Sequence, residues 1–98
     1  MDLSGVDQRY RADLETAIHY LQSKGCSEIY LFGSVGSGIP RQTSDIDIAV
    51  RGIQPEQFFA IYGELMMQLQ HEVDLVDLDV QAEFGRNLLE TGTLKRVA

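Results

Sequence analysis

A single cysteine, Cys26, stands among the 98 residues. Neither an intrachain disulfide nor a cysteine-built zinc site is open to this chain, and a cytoplasmic setting is the expectation. Long apolar runs are missing too. None approaches the roughly 20 residues that cross a bilayer, and the opening MDLSGVDQRY has neither the basic start nor the apolar stretch of a signal peptide. No membrane partner is expected. Basic residues are scarce as well, 8 Lys and Arg against 15 Asp and Glu, for a net charge of -7. They are scattered, and the longest basic run is Lys95-Arg96. Proteins that hold nucleic-acid polymers neutralise phosphates with clustered cations, so direct binding of such a polymer is not expected. A cation, or a protein with basic patches, suits this charge better. Repeats, low-complexity tracts and linkers are also absent.

What is present fits one small domain, residues 1–98. The apolar fraction is 44%, enough for a modest core at a size that buries roughly 60–70% of the unfolded chain's surface. Val6, Tyr10, Leu14, Ala17, Ile18 and Leu21 recur at helical spacing. Ser4 is the expected N-cap, with Asp7 as a variant capping box, and Gly25 the left-handed stop. EIYLF (Glu28 to Phe32) and DIDIAV (Asp45 to Val50) read as strands. Pro55 marks the first turn of a second helix, whose face is expected to be Phe58, Phe59, Tyr62, Leu65, Met66 and Leu69. EVDLVDL (Glu72 to Leu78) reads as a third strand. A last helix is expected in VQAEFGRNLLETG, interrupted at Gly85 and stopped at Gly92. The order gives a small α/β or α+β sheet with helices on one side.

Two features carry chemistry. In a strand, residues i and i+2 share a face, so Asp45 and Asp47 lie together while Ile46, Ile48 and Val50 face the core. Two neighbouring carboxylates repel, and one is normally driven to take up a proton. A wet, solvent-facing strand would tolerate them, but Asp is disfavoured in strands. A divalent cation removes the conflict, and magnesium prefers one or two carboxylates with substrate phosphates completing its shell. The second feature is the preceding loop, GSVGSGIPRQTS, Gly33 to Ser44. Glycines there allow several backbone N–H groups to point inward at a phosphate, and Ser34 and Ser37 add hydroxyls. The Gly-Lys-Ser/Thr ending of a Walker A loop is absent.

Gly33-Ser34, ten residues, then Asp45-Ile46-Asp47 resembles the nucleotidyltransferases of the DNA polymerase beta superfamily. The nearest branch is the minimal nucleotidyltransferases, or MNT domains, which often pair with HEPN-domain proteins as toxin–antitoxin modules. The resemblance covers nearly the whole chain. It implies the minimal polymerase-beta-type fold, an α+β (α/β) domain with a small mixed sheet packed by helices on one side. It also implies a third acid on a later, adjacent strand. Asp74 occupies the family's position in Val-Asp-Leu-Val; Asp77 is an odd number of residues away and points to the opposite face in a regular strand. Asp77 and Asp79 are expected to end the strand or begin the next helix.

By the same resemblance, Asp45, Asp47 and Asp74 are the catalytic and metal-holding residues, for two magnesium ions. Gly33, Ser34, Ser37, Gly38 and Ser44 would hold the triphosphate of ATP or another nucleoside triphosphate. The implied activity moves a nucleoside monophosphate, AMP from ATP, onto a hydroxyl of a HEPN-domain toxin. The pattern departs from many relatives in lacking a basic residue just after Gly-Ser; Arg41 and Arg51 are the nearest. Two alternatives therefore stay open: an antitoxin that acts by docking alone, and transfer to a small-molecule acceptor. Of the other residues, His19 and His71 are expected at surface or boundary positions. Cys26 should be buried, Met66 and Met67 should fill the core, and the tyrosines should be core or boundary residues.

Overall fold

The computed structural model describes residues 3–32, 46–91 and 94–98. Expectations for Gly33, Ser34, Ser37, Gly38, Pro40, Arg41, Ser44, Asp45 and Gly92 lie outside the described residues.

Helix α1 runs Gln8–Ser23 and buries Tyr10, Leu14, Ala17, Ile18 and Leu21 on the face that the spacing predicts. Its cap is Asp7, not Ser4. The Asp7 carboxylate accepts the Arg9 backbone N–H at 2.9 Å and the Arg9 side-chain Nε–H at 3.2 Å. Ser4 falls instead in a turn that Val6 closes by donating to the Leu3 carbonyl. That turn uses the left-handed conformation of Gly5, φ 81°, which sets the helix start back to the next carboxylate. Gly25 ends α1 as expected, left-handed at φ 95°, and its N–H donates to the Gln22 carbonyl.

Strands β1 (Glu28–Phe32), β2 (Ile46–Arg51), β3 (Val73–Asp77) and β4 (Lys95–Arg96) form one sheet in the order β3-β2-β1-β4. β1 is antiparallel to both β2 and β4, and β2 is parallel to β3. The parallel pair needs a crossover, supplied by a 3-10 turn at Pro55–Gln57 and helix α2, Phe58–Gln68. Ile29, Leu31, Ile46, Ile48, Val50, Val73 and Leu75 form one buried cluster with Leu14, Ile18, Ile61 and Leu65. Every second strand residue thus faces α1 and α2. Burying each of these large side chains contributes about 1.5–3 kcal/mol.

The face of α2 differs from expectation. Ile61 and Leu65 are its buried residues, whereas Phe59 is 83% exposed, Met66 57% and Met67 88%. The two methionines do not fill the core. Because α2 packs against α1 and the edge strand β3, only a narrow i, i+4 stripe is buried, and Phe58, Tyr62 and Leu69 pack at the margin.

Helix α3 spans Ala82–Glu90 and passes through Gly85 without interruption. Gly85 is there for closeness: a Cβ at this position would stand 2.8 Å from Leu78 Cδ2. Phe84 meets Phe32 edge-on at 5.6 Å. Phe32 and Leu78 belong to the opposite alternation set from Leu31 and Asp77, so α3 stands apart from the α1–α2 layer. Among the described residues, no helix is long and apolar enough to cross a membrane.

Candidate active site

Parallel pairing of β2 with β3 sets Asp47 opposite Asp74, flanked by Ile46 opposite Val73 and Ile48 opposite Leu75. Neighbouring strands lie about 4.8 Å apart. The four flanking residues are buried, so alternation turns both carboxylates to the other side; Asp74 is exposed and Asp47 half-buried. Phe32 is the partner of Asp47 on β1. Phe32, Asp47 and Asp74 therefore form one row across three strands, and the Gly-Ser segment begins at the residue after Phe32. Among the described residues, no group of three His, Cys, Asp or Glu is assembled for a metal; Asp45, the expected third member, lies outside them. The donor set itself suits magnesium, since both groups are hard carboxylate oxygens on adjacent strands.

A cavity of about 450 Å3 adjoins Asp74. Tyr62 and Met66 of α2 form one wall, and residues 69–74 the other. The Tyr62 hydroxyl donates to the Val73 carbonyl at 2.9 Å and has Asp74 Oδ1 within 3.4 Å. This ties the crossover helix to the strand that carries the acid.

The lead-in to β3 is fixed by Asp13, a residue that sequence reasoning missed. Asp13 is buried on α1. Its carboxylate accepts the Gln70 N–H at 3.0 Å and the His71 N–H at 2.8 Å, and stands 2.7 Å from His71 Nδ1. Burial pushes the Asp13 pKa up, but the hydrogen bonds from Gln70 and from the His71 ring and backbone outweigh it and hold it below the ordinary value. The signal in the sequence was Asp13 on the apolar face itself, three residues after Tyr10 and one before Leu14; a charge there needs a partner. His71 does occupy a boundary position, its ring 4.6 Å from that of Tyr10.

Asp77 lies on the helix-packed side, buried where Asp74 is exposed, as alternation requires. It ends β3, and one of its oxygens accepts the Asp79 N–H at 2.9 Å. Asp79 in turn accepts the Gly52 N–H at 3.0 Å, which braces the turn after β2.

The family model for polymerase beta nucleotidyltransferases matches residues 15–94. The chain belongs to this family. Among solved structures, a minimal nucleotidyltransferase has the same fold, with 24% identity, a TM-score of 0.71, and 100% of this chain and 96% of that one covered. A toxin–antitoxin complex with AMP-PNP is 34% identical over 66% of this chain, with a TM-score of 0.57. The complex of the tri-AMPylated Shewanella oneidensis HEPN toxin with its MNT antitoxin is 30% identical over 70% of this chain, TM-score 0.53. This polymerase beta family chain spans 56% of the matched chain in each of those two complexes. No curated protein matches it.

Proposed function

We propose that this nucleotidyltransferase is the antitoxin of a HEPN-domain toxin and neutralises it by moving AMP from ATP onto a toxin hydroxyl. The observation that carries the reading is the side-by-side placement of Asp47 and Asp74, with Phe32, the residue before Gly33-Ser34 in the sequence, paired to Asp47. The neighbouring structures support it: one is described with AMP-PNP and another with a tri-AMPylated HEPN toxin.

In this reading Asp45, Asp47 and Asp74 hold magnesium, which supplies charge neutralisation on the triphosphate and on the entering and leaving oxygens. Gly33, Ser34, Ser37, Gly38 and Ser44 orient the phosphates, so that pyrophosphate faces away from the acceptor. Asp74, which lines the 450 Å3 cavity, stands on the acceptor's side. Ile46, Ile48, Val73 and Leu75, anchored in the core, keep the two strands from shifting under the charge.

The test is intact-mass spectrometry of the HEPN partner after incubation with this chain, ATP and magnesium, beside the Asp45→Asn/Asp47→Asn double variant. A gain of one or more AMP units with the wild type, absent with the variant, is the expected result. A silenced partner of unchanged mass would replace this reading with neutralisation by contact.

A further inference from the structure

We propose that His71 is the base that takes the proton from the acceptor hydroxyl, and that this hydroxyl enters through the cavity between α2 and the start of β3. The inference rests on the preceding reading, transfer of a nucleoside monophosphate to a protein hydroxyl, and assigns its acceptor side.

One cavity brings the required groups together. His71 and Asp74 both line it, along with Tyr62, Met66, Leu69 and Glu72. Its volume, about 450 Å3, is within the roughly 300–1,000 Å3 of small-ligand pockets. Met66, Leu69 and the Tyr62 ring give it an apolar wall against which an aromatic or aliphatic stem can lie. The acidic edge then meets the hydroxyl at the end of that stem. A tyrosine side chain is the ligand class that matches both walls.

The imidazole is set up to accept a proton. Asp13 can only accept hydrogen bonds when ionised, so at 2.7 Å His71 Nδ1 is the donor. A neutral imidazole with hydrogen on Nδ1 has Nε2 left as its acceptor. Two backbone donors, Gln70 and His71, already anchor Asp13 to this turn; the ring contact is additional and fixes the tautomer. The Tyr10 ring also packs against the imidazole, with centroids 4.6 Å apart. By contrast, Asp74 is the expected ligand of a divalent cation, and such a cation stabilises the carboxylate and weakens it as a base.

The groups around His71 are Asp13 and Tyr10 from α1, Tyr62 from α2, and Glu72 and Asp74 from its own segment, with the Arg9 guanidinium over the Tyr10 ring. The Asp13 carboxylate, 2.7 Å from Nδ1, faces the imidazolium formed in the step. The acceptor oxygen forms a bond to the α-phosphorus of ATP as its proton passes to Nε2. The bond to the bridging oxygen breaks, and pyrophosphate leaves with that electron pair. Asp13 is a positioning residue here, since it reaches the reaction only through the ring.

The experiment is the single-turnover rate of AMP transfer to the HEPN partner for the wild type and for His71→Gln. The expected result is a fall of about 10²-fold, with binding of ATP and of the partner retained. Added imidazole should restore part of the rate to His71→Ala. A wild-type rate in His71→Gln would overturn the proposal. Should that variant not bind the partner, Asp13→Asn decides: an unchanged rate there overturns it as well. A wild type that binds both ATP and partner yet transfers nothing would instead overturn the functional reading, and this inference with it.

Discussion

Asp47 and Asp74 are register partners across the parallel β2–β3 pair, on the side of the sheet opposite the buried Ile48 and Leu75. Like charges directly opposite cost roughly 0.2–1 kcal/mol. Without divalent metal, Asp74→Asn should therefore raise stability by about 0.5 kcal/mol. Magnesium with a non-hydrolysable ATP analogue should reverse the order, stabilising the wild type more than the variant. Thermal unfolding with and without these ligands measures both; equal ligand shifts in the two proteins would remove Asp74 from the metal site.

Asp13→Ala leaves the Gln70 and His71 backbone donors without their acceptor, and the expected loss is about 2–3 kcal/mol. The pH dependence has a definite sign. The folded-state pKa is lowered from 3.8, so the stabilisation is complete above that value and is lost as pH falls below it toward the folded pKa. Urea unfolding should show the gap between Asp13→Asn and wild type shrinking at acid pH and constant near neutrality.

Gly52→Ala should cost about 3 kcal/mol, from a left-handed residue and a close approach. Its φ is +95°, and an added Cβ would lie 2.9 Å from both the Ser27 backbone N and Ser27 Oγ. A denaturation midpoint close to wild type would show that this turn can rearrange. Gly85→Ala is milder, because the atom it meets is the tip of the Leu78 side chain.

Cys26 should resist thiol reagents in the native state. Burial first, then the negative charge of Asp77, pushes its pKa up to about 11, so the reactive thiolate is scarce near neutral pH. Labelling kinetics in buffer and in denaturant test this. Rapid native-state modification would mean that the β1 end of the core opens readily.

Much of the architecture was legible because it rests on local periodicity. The α1 face and the alternation in Ile46, Ile48 and Val50 needed no tertiary knowledge, and the same parity separated Asp74 from Asp77. What escaped depended on partners distant in sequence. Asp13 makes sense only once Gln70 and His71, 57 and 58 residues away, have arrived. Phe59 and Met66 carry the right hydrophobicity for a core, but α2 presents only Ile61 and Leu65 to the sheet. Gly85 looks like a helix breaker in the sequence because its closeness to Leu78 is a tertiary fact. Lys95-Arg96, too short and too charged to look like a strand, pairs with Tyr30 and Leu31 at the sheet edge. Within the candidate site, the pairing of Asp74 with the Asp45-Ile46-Asp47 strand was implied by the family resemblance, while the His71 side of the cavity left no local trace.

The β2–β3 register also acts as a fidelity check on assembly. A parallel pairing slipped by one residue on β3 would turn Asp74 toward Leu14, Ile18 and Leu65 and expose Val73 and Leu75. Burying an unpaired carboxylate among those side chains costs several kcal/mol, so the slipped pairing does not compete. The acids that share the face away from the core in one alignment disfavour every odd-numbered misalignment. Replacing them with apolar residues would then yield a chain that is more hydrophobic but less certain of which strand residue belongs opposite which.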